Sequence, residues 1–304
     1  MKTIGIDLGG TNLRLALVED GKILTLNSYK SNALDKEKLL SIILKDIQAF
    51  KACGALAIGI AVAGPIDPKT KKLNMATNIP LFKEFDFISY LEKESLLPVY
   101  IENDANAAGL AINLLEYPDI NSLYYITHST GIGGAYILNK QIISGYKGYA
   151  GEIGNLKISE DDYIHNHLNH GSLENRCSGT AILEIAKKEI DNNIESASEV
   201  FERARKGDEK ALAIIDSMSK ELALALSYIA HILNPEVIVF GGGVALQHDL
   251  YFPLLKKYFK NYVHEALKET PIVVSSLEEA GVIGASLLAI KKTEINSAFS
   301  YDKD

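Results

Sequence analysis

Residues 3–24 read TIGIDLGGTNLRLALVEDGKIL, and residues 123–146 read LYYITHSTGIGGAYILNKQIISGY. Both run through an apolar strand, a turn rich in glycine and threonine, a second apolar strand, a polar two-residue turn and a further apolar stretch. Asp20-Gly21 suits a tight hairpin, and Asn139-Lys140 holds the matching place in the second segment. A third glycine cluster follows the apolar strand in PEVIVFGGGVA, residues 235–245. Between these landmarks strands and helices alternate. Residues 35–50 space Leu39, Leu40, Ile43, Leu44, Ile47 and Phe50 along one helical face. ALAIGIAVAG (55–64) reads as a buried strand, and LPVYIENDANAAGLAIN (97–113) as a strand that stops at Asn103-Asp104 and enters a helix of small residues. Further helices are expected over 179–192, 197–206, 208–233 and 278–291. The last is rich in small residues (Gly281, Gly284, Ala285, Ser286) that permit close packing.

This alternation predicts mixed sheets covered by helices. Two halves, each led by a β-hairpin and each presenting glycine turns to a shared cleft, follow the plan of an actin-like ATPase: an α/β, duplicated ribonuclease H-like fold. The expected domains are 1–117, rejoined by a C-terminal helix at about 278–304, and 118–277. The length of 304 residues suffices for both.

Composition narrows the partners. A hydrophobic share of 47% and a charged share of 23% are those of a soluble globular protein. The net charge of −8 repels phosphate backbones, which disfavours nucleic-acid binding. Only Cys53 and Cys177 are present, so no disulfide framework exists and a reducing compartment is expected. No export signal or membrane-spanning run is visible, and the expected location is the cytoplasm.

The glycine turns carry the first chemistry. In DLGGTN (7–12), residues without Cβ let backbone N–H groups approach a phosphate, Thr11 adds a hydroxyl, and Asp7 at a strand end can hold hydrated Mg²⁺. The alternative is a plain hairpin whose glycines supply positive φ. STGIGG (129–134) and FGGGVA (240–245) repeat the feature, and three such turns at equivalent strand ends point to a nucleotide. In IENDANAA (101–108), Asp104 either caps a helix or accepts a proton from an attacking hydroxyl. Asn103 and Asn106 offer donors and acceptors suited to sugar hydroxyls.

Taken in order, DLGGTN, AVAGPID, ENDANAA, STGIGG, GYAGEIGN, SLENRCSG and VFGGGV resemble the ROK family of sugar kinases and related repressors, over residues 3 to 290. The resemblance implies an actin-like fold and ATP-dependent phosphorylation of a hexose, usually at its 6-hydroxyl. It implies Asp104 as catalytic base. Asp7, Gly9, Gly10, Thr11, Asn12, Thr130, Gly131 and Gly133 match the phosphate and Mg²⁺ turns, and Gly241, Gly242 and Gly243 the adenosine loop. Gly64, Asn78, Asn103, Asp104, Glu152, Asn155 and Glu174 fall at sugar-contact positions.

The segment YIHNHLNHGSLENRCSG (163–179) departs from the family pattern. Most members hold a structural zinc here through one His and three Cys; those positions carry Asn155, His165, His167 and Ser172. An amide and a hydroxyl are poor zinc ligands, so zinc is not expected, although His170 and Cys177 lie nearby. An amide at Asn155 also leaves more room near C1 and C2 of a sugar. That favours N-acetylmannosamine, with glucose and β-glucosides as alternatives. The expected partners are ATP, Mg²⁺, a hexose and a second copy of the chain. A sugar-sensing repressor is the competing class, disfavoured because nothing precedes DLGGTN that could be a helix-turn-helix. A filament-forming actin relative would have no use for the hydroxyl-reading residues.

Overall fold

The strand β1 (Lys2–Leu8) is apolar on both faces because it lies inside a sheet. In the computed structural model, which describes residues 1–31, 35–71, 85–164 and 166–300 with side chains to residue 290, the chain forms two compact units. One comprises residues 1–119, 140–150 and 277 onward; the other comprises 120–139 and 151–276.

In the first unit the strand order is β3-β2-β1-β4-β5. The strand β1 pairs antiparallel with β2 (Asn12–Glu19), and β2 with β3 (Lys22–Lys30). On its other edge β1 runs parallel to β4 (Ile58–Val62), which runs parallel to β5 (Val99–Asn103). Asp20 and Gly21 take φ of 49° and 79°, the left-handed pair that a two-residue hairpin requires. The helix α1 (Lys36–Ala52) starts on Asp35, whose side chain accepts the Lys38 N–H at 2.8 Å. It buries Leu39, Leu40, Ile43, Ile47 and Phe50 against Ile4, Ile6, Leu13 and Ile58, with α2 (Phe87–Ser95) alongside. The opposite face carries α3 (Asp104–Leu115) and α9 (Ala280–Ser300). Small residues decide that contact. A Cβ on Gly59 would overlap the Ala285 carbonyl, and one on Gly284 would overlap that of Ala107. The helix α9 starts at Ala280 because Glu279 sits in the left-handed region, with φ 55°.

In the second unit the order is β10-β9-β6-β7: β6 (Ser122–His128) and β7 (Ile132–Leu138) form the hairpin, and β9 (Val237–Gly241) and β10 (Ile272–Val274) extend it in parallel. The two-residue β8 (Gln141–Ile142) lies in the segment grouped with the first unit. Helices α4 (Leu173–Cys177), α5 (Gly179–Glu189), α6 (Ala197–Arg205), α7 (Glu209–Leu233) and α8 (His248–Tyr262) complete it. The core joins Ile126, Ile238 and Phe240 from the sheet to Leu222, Leu226 and Phe252 from the helices. Sequence patterning did not anticipate α2, α4 or α8. Pro253 inside α8 hides the last of these, and α4 is a single turn with no periodicity to read.

Candidate active site

In the first unit, chemistry gathers where β1 and β5 end. Asp7 pairs in register with Arg14 across the hairpin. Arg14 Nη1 lies 3.7 Å from Asp7 Oδ2, and Arg14 Nε lies 3.2 Å from Glu279 Oε2. Burial, then the Asp104 charge, pushes the Asp7 pKa up to about 6; Arg14 pulls it back and Glu279 adds to the rise. A Cβ on Gly281 would come within 3.1 Å of Asp7 Oδ2, so glycine lets the first turn of α9 approach this carboxyl. Carboxylates outnumber cations here, a donor set that fits a hydrated divalent cation.

Of the two readings of Asp104, the capping role belongs to its neighbour. Asn103 is the N-cap of α3, its Oδ1 accepting the Asn106 N–H at 3.1 Å. Its Nδ2 donates to the Gly64 carbonyl at 3.2 Å, where Gly64 has φ 116°. Both ends of the Asn103 amide therefore serve the fold. Asp104 sits in the first turn, its Oδ1 accepting the Ala105 N–H at 2.8 Å. Glu102 Oε1 accepts from Asn103 N (3.0 Å) and from Asn106 Nδ2 (2.9 Å), which buries the Asn106 side chain in structure. In the turn itself, Gly9 N–H donates to the Asn12 carbonyl and Lys30 Nζ donates to Asn12 Oδ1, both at 2.9 Å. Gly10, Thr11 and Asn12 are the exposed residues of the turn. Asn78 lies outside the described residues.

In the second unit, Thr130, Gly131 and Gly133 form the matching turn. The Thr130 carbonyl accepts from the Thr180 hydroxyl at 2.8 Å, which ties the turn to α5. Glu174 comes to the same place. Its Oε2 accepts the Ile132 N–H at 2.8 Å, and its Oε1 accepts from Asn166 Nδ2 at 2.6 Å. A Cβ on Gly131 would sit 2.7 Å from Glu174 Oε2. A side chain there would have to displace the end of the Glu174 side chain, a contact that sequence reading did not supply. Glu152 keeps solvent contact, yet the atoms crowding its carboxyl, and then the Glu174 charge, push its pKa above the usual carboxylate value. Asn155 Oδ1 accepts the Asn169 N–H at 2.8 Å, so its NH₂ end is the one with donors to offer.

The triple-glycine loop divides by residue. A Cβ on Gly241 would strike the Tyr125 hydroxyl at 2.6 Å, and one on Gly242 the His128 carbonyl at 2.7 Å. A Cβ on Gly243 would meet nothing within 4 Å, which leaves open space beside the backbone. His128 is the residue that sequence reading missed. It ends β6, is fully buried, and its Nε2 lies 2.8 Å from the Cys177 carbonyl. A carbonyl only accepts, so Nε2 carries the proton and Nδ1 accepts from the Tyr251 hydroxyl at 3.2 Å. Burial holds its pKa down to about 4. Only its place before the turn, in THSTGIGG, hinted at it.

In the histidine-rich loop, two of the four positions that the family pattern gives to zinc ligands bind the backbone instead. Asn155 Oδ1 and the Ser172 hydroxyl both accept backbone N–H groups, from Asn169 and Asn175. His167 is exposed, His170 Nδ1 donates to the Asp162 carbonyl at 2.7 Å, and His165 lies outside the described residues. Cys177 is buried, with its thiol pKa pushed up by that burial. Among the described residues no group of three or more His, Cys, Asp or Glu is arranged to hold a metal ion, and no helix is long and apolar enough to cross a membrane. Of the four zinc positions of the family pattern, Asn155 and Ser172 carry an amide and a hydroxyl, poor ligands for the ion.

Residues 3–292 match the model of the ROK family. The chain belongs to the ROK family. It is 31% identical to a glucokinase of Halalkalibacterium halodurans, over 96% of this chain and 95% of that one. It is 28% identical to an N-acetylmannosamine kinase of Haemophilus influenzae, over 94% of each. Xylose repressors of Caldicellulosiruptor match as well, so the family contains both sugar kinases and regulators. Among solved structures, a ROK glucokinase from Streptomyces griseus in complex with glucose and AMPPNP superposes with a TM-score of 0.81 at 26% identity, covering 96% of this chain and all of that one. This ROK protein thus has the actin-like fold expected from its paired glycine hairpins.

Proposed function

We propose that this ROK protein is an ATP-dependent hexose kinase that phosphorylates the 6-hydroxyl, with Asp104 as general base. The observation that carries the reading is the pair Asp7 and Asp104, two carboxylates brought together at the ends of β1 and β5, which flank β4, where burial and then the Asp104 charge lift the Asp7 pKa to about 6. Such a pair suits one group holding a hydrated cation and another accepting a proton. When bound, Mg²⁺ would neutralise charge on the terminal phosphates of ATP, and Asp7 would hold it through water. Asp104 would orient the sugar hydroxyl and take its proton. Gly10, Thr11, Thr130, Gly131 and Gly133 would contact phosphates, and Gly243, with its open flank, would admit the adenosine. Glu152, Asn155 and Glu174 would read the sugar hydroxyls, supported by the glucokinase likeness.

N-acetylmannosamine is favoured over glucose. The Asn155 amide offers N–H donors, which complement the acetyl carbonyl of a C2 substituent. The loop around Asn155 and Ser172 is held by hydrogen bonds and functions without zinc.

Asp104→Asn tests the assignment through ADP release with glucose and with N-acetylmannosamine. Turnover is expected to fall by about 1000-fold or more while hexose binding stays within about threefold. Turnover above a tenth of wild type removes Asp104 from the role of base.

A further inference from the structure

The Glu174 carboxylate is held from two sides, and one of its holders has no place in the reading above. Glu174 lies on α4, a helix of five residues, too short to fix a side chain by packing along its own length. Its Oε2 is set by the Ile132 N–H at 2.8 Å, next to the glycine turn. Its Oε1 is set by Asn166 Nδ2 at 2.6 Å. The orientation of the Asn166 amide is fixed in turn, because its Oδ1 accepts the Leu168 N–H at 2.9 Å. The oxygen faces a backbone donor, so the NH₂ must face the carboxylate. Each carboxylate oxygen has two acceptor positions, and each keeps one for a hydroxyl after these bonds are made.

The same loop is anchored beyond Asn166. Asn169 N–H donates to Asn155 Oδ1 at 2.8 Å, and the Asn169 carbonyl accepts from Asn175 Nδ2 at 3.1 Å. Just after Glu174, Arg176 binds Asp161 at 2.8 Å and Glu221 at 3.0 Å. The Asn166 amide is therefore held in a braced segment.

We propose that Asn166 is a positioning residue for hexose recognition: its NH₂ group holds Glu174 in the orientation from which the carboxylate accepts sugar hydroxyls. This rests on the reading that Glu174 contacts the sugar. It makes Asn166 a determinant of hexose affinity and leaves ATP affinity to other residues. The bond is charge-assisted and aimed, so its loss frees the Glu174 oxygen to rotate.

The test compares Asn166→Ala, Asn166→Asp and Glu174→Gln in steady-state assays with ATP and whichever of glucose or N-acetylmannosamine the wild type phosphorylates faster. Aspartate keeps the oxygen that accepts the Leu168 N–H and nearly the same shape, but replaces the donor with an anionic oxygen. A role confined to the turn predicts no change in Asn166→Asp. A positioning role predicts that hexose KM rises about tenfold in Asn166→Ala and more in Asn166→Asp, with ATP KM within about twofold. Glu174→Gln raises hexose KM as well, and adding Asn166→Ala to it raises KM no further. Wild-type hexose KM in Asn166→Asp, alongside a raised KM in Glu174→Gln, overturns the inference and leaves Glu174 in the sugar site. Wild-type hexose KM in Glu174→Gln overturns the reading of Glu174 itself. If Asn166→Asp does not fold, Asn166→Ser is judged by the Asn166→Ala criterion.

Discussion

The hairpin turn between β1 and β2 and the one between β6 and β7 stand at the same place in two sheets of matching order, β2-β1-β4-β5 and β7-β6-β9-β10. Their strand ends carry opposite electrostatics. The first keeps Asp7 among Asp104, Glu279 and Arg14, with part of its side chain in contact with solvent. The second ends on His128, sealed among Tyr251, the Cys177 carbonyl and the Gly242 loop, neutral and fully hydrogen-bonded. A repeated backbone plan thus supports two uses. One turn concentrates negative charge against its own stability, and the other organises its surroundings with a neutral ring.

The pH response separates them. The raised pKa of Asp7 means that the folded chain binds more protons than the unfolded one between about pH 4 and 6, so this group lowers stability as pH rises through that window. The depressed pKa of His128 acts the other way: its neutral form is native, and stability is lost as pH falls from about 6.5 towards 4.

Substitutions at the two turns sharpen or break this contrast. The largest effect is expected at Asp7. Asp7→Asn should lower turnover by about 100-fold or more in a coupled ADP-release assay. In the same variant, without nucleotide or Mg²⁺, urea unfolding should show a gain of roughly 2 kcal/mol at pH 7.5 that vanishes near pH 4. A variant less stable than wild type at pH 7.5 would mean that Asp7 is a structural anchor like His128. His128→Leu comes next. It strands the Tyr251 hydroxyl and Cys177 carbonyl, and should remove about 2–3 kcal/mol at pH 7.5. The same substitution should flatten the loss that the wild type shows between pH 6.5 and 4.5. Undiminished acid sensitivity would place its source in another group. The smallest effect is expected at the α3 cap, where Asn103→Ala should cost about 1 kcal/mol of stability by thermal unfolding. An unchanged melting temperature would show that Asn103 does not hold the strand–helix junction.

Much of this contrast could not be read along the chain. The two hairpins were legible because a period-two apolar pattern and glycine turns are local signals, and Asp20-Gly21 folds as its residue types demand. The single-turn α4 was not legible, although it carries Glu174. From sequence Asp104 was either a helix cap or a proton acceptor, because a carboxylate after a strand commonly caps a helix; the cap fell one residue earlier, on Asn103. That the Glu174 carboxylate lies against Gly131 was not legible either. His128 gave no signal beyond its place before the turn, since its bonding depends on Tyr251 and Cys177, residues far away along the chain.

The ordered motifs from DLGGTN to VFGGGV carried the resemblance to the family, and the hairpins and helix faces around them were legible because turn chemistry and periodicity depend on residues a few positions apart. The charge states and bonding of the same residues were decided in three dimensions. Asp7 acquires its raised pKa from burial and from the charges of Asp104 and Glu279, against the opposing pull of Arg14, and Glu174 acquires its orientation from Ile132 and Asn166. Desolvation and directed hydrogen bonds act over a few ångströms of space, and only folding brings those partners within reach.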